Sequence, residues 1–183
     1  MRKMKLTHSI SVLVVALSIT ACSHSTGQLT TATHPAPAPI EAKYQTYVEV
    51  GQRVPVMQLT DIQGRQINLA QSKHKKLLIL FATWCPDSQR AMKALVQSDL
   101  INAANIDIIG IGREETVLSL SQFAEEYHLP FSLVADKDKS LYRQFANAGI
   151  PRFILLDENN KIVKTLLLED EAKEGELLAP IQW

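Results

Sequence analysis

The chain has 183 residues, 46% hydrophobic and 21% charged, an ordinary composition for a globular protein with a single core. Lysine plus arginine and aspartate plus glutamate balance at 19 each, so there is no basic excess to neutralise phosphates, and nucleic acid is not expected as a partner. The two cysteines, Cys22 and Cys85, stand in different sequence contexts and are not expected to pair.

Residues 1–21 open with Arg2, Lys3 and Lys5, continue with an apolar stretch from Ile10 to Ile19 and end in small residues. This is the three-part plan of a secretory signal, and the apolar run is shorter than the ~20 residues that cross a bilayer. The "ITAC" of Ile19 to Cys22 resembles the lipobox of bacterial lipoproteins. That resemblance implies cleavage before Cys22 and lipidation of Cys22. The expected location is then the periplasmic face of the cell envelope, at the outer membrane of a double-membraned bacterium, since Ser23 rather than Asp follows. Residues 22–46 contain "SHSTGQLTTATHPAPAPIEAK", rich in Ser, Thr, Ala and Pro, which reads as an extended linker. His24 and His34 within it read as solvated side chains rather than metal ligands. The folded domain is expected over 47–183.

"VPVMQL", the turn formers Asp61 and Gly64, and "RQINL" predict a β-hairpin. "KLLILFA", Lys76 to Ala82, is short and continuously apolar, as a strand covered on both faces would be. Lys73, Lys75 and Lys76 read as a solvated approach to it. A helix is predicted to start at Cys85 with Pro86 at its first position, burying Met92, Leu95 and Val96. "NIDIIGIG" predicts the next strand, and "TVLSLSQFAEEYHL" a helix with Val117, Leu120, Ala124 and Tyr127 on one face. "PFSLVAD" predicts a strand, "KSLYRQFANAG" a short helix with Leu141 and Phe145 inward, and "RFILLDENNKIVKTLLLE" a strand, a turn and a return strand. This order predicts an α/β fold: a mixed parallel and antiparallel sheet with helices on both faces and an N-terminal hairpin. Gly110 and Gly112 begin a G-x-G-x-x-G pattern that Glu115 breaks, so no dinucleotide site is expected. No cofactor and no metal site is expected.

"FATWCPDS" resembles the active-site corner of the thioredoxin superfamily in its TlpA/ResA-like, membrane-tethered branch, and "AGIPRFILLD" resembles the family's cis-proline loop at Ile150-Pro151. The resemblance covers Val48 to Leu168. It implies a thioredoxin-like fold, Cys85 as the nucleophile, and a substrate groove bordered by Trp84, Pro86, Ile150 and Pro151. A cysteine at a helix amino end meets the positive end of the helix dipole and unpaired N–H groups, which favour thiolate over thiol, while Asp87 beside it opposes this. Ser88 replaces the second cysteine of the family's Cys-x-x-Cys. Its hydroxyl is expected to donate to the Cys85 sulfur, and it cannot form a disulfide. Ile79 stands where many members of this branch carry a polar residue, and Glu114 and Glu115 lie near the branch's functional glutamate but read as exposed acids at a helix start.

The expected function is monothiol thiol-disulfide exchange, by mixed-disulfide formation and reductase-like or isomerase-like turnover. Partners would be disulfide- or thiol-containing envelope proteins or small thiols. Two other functions compete with it. One is a non-redox binding module on the same fold. The other is a thiol peroxidase, for which the Pro-x-x-x-Thr-x-x-Cys pattern is missing, Leu78 and Ala82 occupying those places.

Overall fold

The computed structural model describes residues 43–168, 178, 179 and 181. The signal and lipidation reading of Cys22, the two linker histidines and most of the linker lie outside the described residues.

The sequence "KKLLILF" forms β3 (Lys75–Phe81), the middle strand of a five-stranded sheet ordered β5-β4-β3-β6-β7. β4 (Ile106–Arg113) and β5 (Ser132–Asp136) run parallel to β3 on one side; on the other, β6 (Arg152–Leu156) pairs antiparallel with β3 and β7 (Ile162–Leu167) antiparallel with β6. A separate hairpin pairs β1 (Gln58–Thr60) with β2 (Gln66–Asn68). The hairpin ladder is shorter than the "VPVMQL" run suggested. Pro55 has no N–H to give, and Val54 pairs instead with the Asn160 carbonyl at 3.0 Å.

β3 is buried on both faces because its side chains alternate between two cores. Leu77, Ile79 and Phe81 pack with Met92 and Leu95 of α1 (Pro86–Val96) and with Leu120 and Phe123 of α2 (Val117–Tyr127). Leu78 and Leu80 face the other way, onto Val48, Val54, Leu59, Tyr142 and Phe145. Both α-helices therefore cover one face of the sheet. The opposite face is closed by the amino-terminal segment, the hairpin and a 3₁₀ turn at Tyr142–Gln144. That turn replaces the short helix expected in "KSLYRQFANAG". Thr46 bridges Ala146, and the Tyr47 amide bonds the Phe145 carbonyl at 2.7 Å, so the chain after the turn pairs with the amino-terminal segment instead of continuing as a helix.

Two further expectations are corrected. Val117 is half exposed, and Phe123 takes the inward place on α2 with Leu120. Lys76 is not solvated: it is fully buried and donates from Nζ to the Ser72 carbonyl at 2.8 Å. Burial, against the pull of Asp107, leaves its ammonium easier to deprotonate than an exposed lysine.

Because β3, β4 and β5 are parallel, their carboxyl ends lie on one edge of the sheet. α1 and α2 both start from that edge, and Cys85 lies there.

Candidate active site

Cys85 is the N-cap residue of α1, in extended conformation (φ −88°, ψ 118°), with Pro86 at the first helical position. The proline lacks an N–H that would have no intrahelical acceptor there, and its fixed φ suits the helix start. The thiol is free, and only 8% of the residue is exposed. Its Sγ lies 3.8 Å from the Ile150 carbonyl oxygen, to which the thiol donates. The Ile150–Pro151 peptide bond is cis. Two segments 65 residues apart thus meet at the sulfur. Trp84 stands out from the corner at 59% exposure, Pro86 is also exposed, and Pro151 is buried. The structure therefore gathers Trp84, Cys85, Pro86, Ser88, Ile150 and Pro151 at one end of the sheet.

Ser88 differs from the expectation in its direction. Its side chain is fully buried, and its hydroxyl accepts the Ala82 amide at 3.3 Å. By accepting this amide Ser88 fixes the turn from strand to helix, and the Cys85 thiol bonds to the Ile150 carbonyl rather than to Ser88. Asp87 pairs with Arg90 one turn along α1, so its negative charge beside the thiol is offset by a neighbouring cation.

The second difference is Glu115. It is 3% exposed and accepts from the Thr83 amide at 2.8 Å and the Thr83 hydroxyl at 2.7 Å on one oxygen, and from the Ser119 hydroxyl at 2.6 Å on the other. These bonds tie the β3–α1 corner to the start of α2, where Thr116 and Ser119 form a capping box. Gln89 reinforces the corner by donating to the Thr83 carbonyl at 2.7 Å. A buried carboxyl group thus lies two residues from Cys85 through Thr83, while Ile79 packs in the apolar core on the helix-covered face of the sheet. The sequence carries one signal for it: Gly112, where a Cβ would come within 3.0 Å of the Glu115 side chain and 2.7 Å of Leu120. The second glycine of the broken G-x-G is explained by this packing. Glu114 matches the exposed-acid reading; its bond to Lys139 and the charge of Arg113 hold its carboxyl below the usual range despite some desolvation.

A recessed thiol at a helix start, facing a cis-proline loop at the carboxyl edge of a mixed sheet, defines a thioredoxin-like protein. The chain belongs to the Redoxin family, whose model matches residues 49–179. Among curated proteins it is similar to the thiol-disulfide oxidoreductase ResA of Geobacillus thermodenitrificans, at 27% identity over 142 residues, covering 74% of this chain and 82% of that protein. Among solved structures it is similar to a candidate protein disulfide isomerase from Bacteroides thetaiotaomicron, with TM-score 0.65 and 26% identity over 74% of this chain and 87% of that one. It shares its fold with a secreted Mycobacterium tuberculosis disulfide oxidoreductase, with TM-score 0.55 and 19% identity over 68% of this chain and 95% of that one.

Proposed function

We propose that this protein performs monothiol thiol-disulfide exchange through Cys85, held at the envelope membrane by lipid on Cys22. One observation carries the reading: Cys85 sits free at the amino end of α1 against the Ile150 carbonyl, with a buried serine where a resolving thiol would stand. The curated ResA relatives, which bear the name thiol-disulfide oxidoreductase, support the reaction class.

The chemistry follows from the single sulfur. The Cys85 thiolate attacks one sulfur of a partner's disulfide, a Cys85–partner S–S bond forms, the partner's S–S bond breaks, and the departing sulfur takes up a proton. A dithiol site would then expel the partner with its second thiol at high effective concentration. Ser88 cannot. Release falls to an external thiol, or to another cysteine of the partner, which regenerates Cys85 and leaves a rearranged disulfide. With two equivalents of small thiol the sum is reduction of the partner's disulfide and formation of one small-molecule disulfide.

The test is capture. Full-length protein incubated with a disulfide-bonded model protein is expected to give an adduct on a non-reducing gel that dithiothreitol dissolves and Cys85→Ala lacks. Failure of any disulfide to react, with the thiol alkylated only after unfolding, would leave the binding-module reading, which the burial of Cys85 favours.

A further inference from the structure

The loop that presents Ile150 to the thiol is gripped by a buried arginine that also holds the amino-terminal segment. Arg152, the first residue of β6, is 2% exposed. Its Nε donates to the carbonyls of Ala148 and Gly149, both at 3.1 Å, its Nη2 to the Ala148 carbonyl at 2.5 Å, and its Nη1 to the Thr46 hydroxyl at 2.7 Å. The Tyr142 hydroxyl donates to the same Gly149 carbonyl at 2.8 Å. Gly149 has φ +87°, and a Cβ there would stand 3.1 Å from the Tyr44 ring and 3.0 Å from Leu167. The amino-terminal segment is further paired to the chain just before the loop. Gln45 donates to the Asn147 side-chain oxygen at 2.7 Å, and the Asn147 amide donates back to the Gln45 carbonyl at 3.2 Å.

A buried guanidinium is costly unless its donors are satisfied. Among the described residues no carboxylate forms an ion pair with Arg152. It lies in register between Leu80 of β3 and Leu167 of β7, a strand position an apolar residue would fill at lower desolvation cost. What the arginine adds is a planar fork that spans two successive loop carbonyls and one hydroxyl from a segment 106 residues away.

We propose that Arg152 is a positioning residue for the Cys85 site and that, through Thr46, it straps residues 44–47 onto the loop, making this segment a part of the exchange site. The proposal rests on the reading of Cys85 as an exchange thiol. The physical chain is short: guanidinium to the Ala148 and Gly149 carbonyls, one peptide to Ile150, and the Ile150 carbonyl to the sulfur. A macromolecular partner has to seat against this loop while the new S–S bond forms. A small alkylating reagent needs only the sulfur.

Thr46 is exposed, so Thr46→Val removes the hydroxyl without disturbing a core, and Thr46→Ser returns it. Full-length parent and both variants are compared in three measurements: the rate of Cys85 with a disulfide-bonded peptide, the rate with iodoacetamide, and hydrogen exchange of the Tyr47 and Asn147 amides. Loss of a charge-assisted bond at a partly wet position is expected to slow peptide exchange by ~3- to 10-fold and to speed exchange of both amides by a similar factor. Alkylation should stay within about twofold, and Thr46→Ser should restore the parent values on all three measures. Unchanged amide exchange in Thr46→Val, no recovery in Thr46→Ser, or equal slowing of peptide and iodoacetamide would each overturn the strap. A parent that reacts with no disulfide would instead overturn the exchange reading, and the amide measurement then decides the strap alone.

Discussion

The Ser88 hydroxyl accepts the Ala82 amide at 3.3 Å, across the turn that carries Cys85. The residue in the resolving position therefore does a structural task with the same atom that a redox partner of Cys85 would use. Ser88→Cys is expected to weaken this turn by ~1 kcal/mol, the typical net worth of one such bond. It also places a second sulfur one helical turn from Cys85, within disulfide reach. On mild oxidation both thiols of the variant's folded domain should become unreactive to an alkylating reagent, and the variant should gain reductase turnover on a protein disulfide. The parent should turn over little unless small thiol is added. A variant that keeps both thiols after oxidation would show that the geometry at the corner is unsuited to a dithiol site.

The hairpin is fastened by Asp61, whose buried carboxyl accepts from the Gln63 amide at 3.0 Å, the Arg65 amide at 2.8 Å and the Arg65 guanidinium at 2.7 Å. Burial alone would raise its pKa, and the Arg65 and Gln63 bonds together with the Arg65 charge outweigh it, so the group lies below the ordinary aspartate value. A depressed folded-state value contributes stability above the unfolded pKa of ~3.9, and that contribution disappears as pH falls through the lower folded value. Asp61→Asn is expected to cost ~1–2 kcal/mol at neutral pH. In urea titrations repeated from pH 7 downward, the gap between variant and parent should stay constant to about pH 4 and then narrow. A gap independent of pH would assign the loss to packing alone.

The lipid tether is tested on its own. The "ITAC" stretch leads us to expect that a labelled fatty acid supplied to a bacterial host is incorporated into the protein, that Cys22→Ala removes the label, and that the variant leaves the membrane fraction. Equal labelling of parent and variant would rule the tether out.

Local chemistry explains which parts of the fold were legible in the sequence. The apolar run before Cys85, Pro86 after it and the hairpin turn at Asp61 and Gly64 are signals carried by neighbouring residues, and the strand, helix and hairpin stand where they point. Several of the misread residues are set by neighbours that lie far along the chain. Glu115 looks like a surface acid until Thr83, 32 positions away, supplies two donors. Lys76 continues a basic run by composition, yet it occupies an inner register of β3 between Asp107 and Leu156. Residues 141–147 have helical spacing, but pairing with 45–47 takes precedence. Ser88 has the right position and a different bond: its hydroxyl accepts the Ala82 amide at the end of β3, and the Cys85 thiol donates instead to the Ile150 carbonyl.

The Glu115 link between the two loops makes the last prediction. One carboxyl oxygen takes both Thr83 donors and the other takes Ser119. Glu115→Gln keeps an acceptor for Thr83 and can reorient toward Ser119, so its expected cost is the charge-assisted part of the bonds, ~1 kcal/mol. Glu115→Ala leaves the Thr83 amide without its acceptor and opens a void against Gly112 and Leu120, for which ~2–4 kcal/mol is expected. Urea unfolding should therefore rank parent above Gln above Ala. The Thr83 amide should lose hydrogen-exchange protection in the same order. Because Thr83 is two residues from Cys85, mixed-disulfide formation should slow in Glu115→Ala even at temperatures where that variant is fully folded. Gly112→Ala offers an independent approach to the same contact: its added methyl presses on Glu115 and Leu120, and it should loosen Thr83 as Glu115→Ala does. Thr83 protection that is equal in parent, Gln and Ala would mean that the corner is held by Gln89 and Ser88 alone.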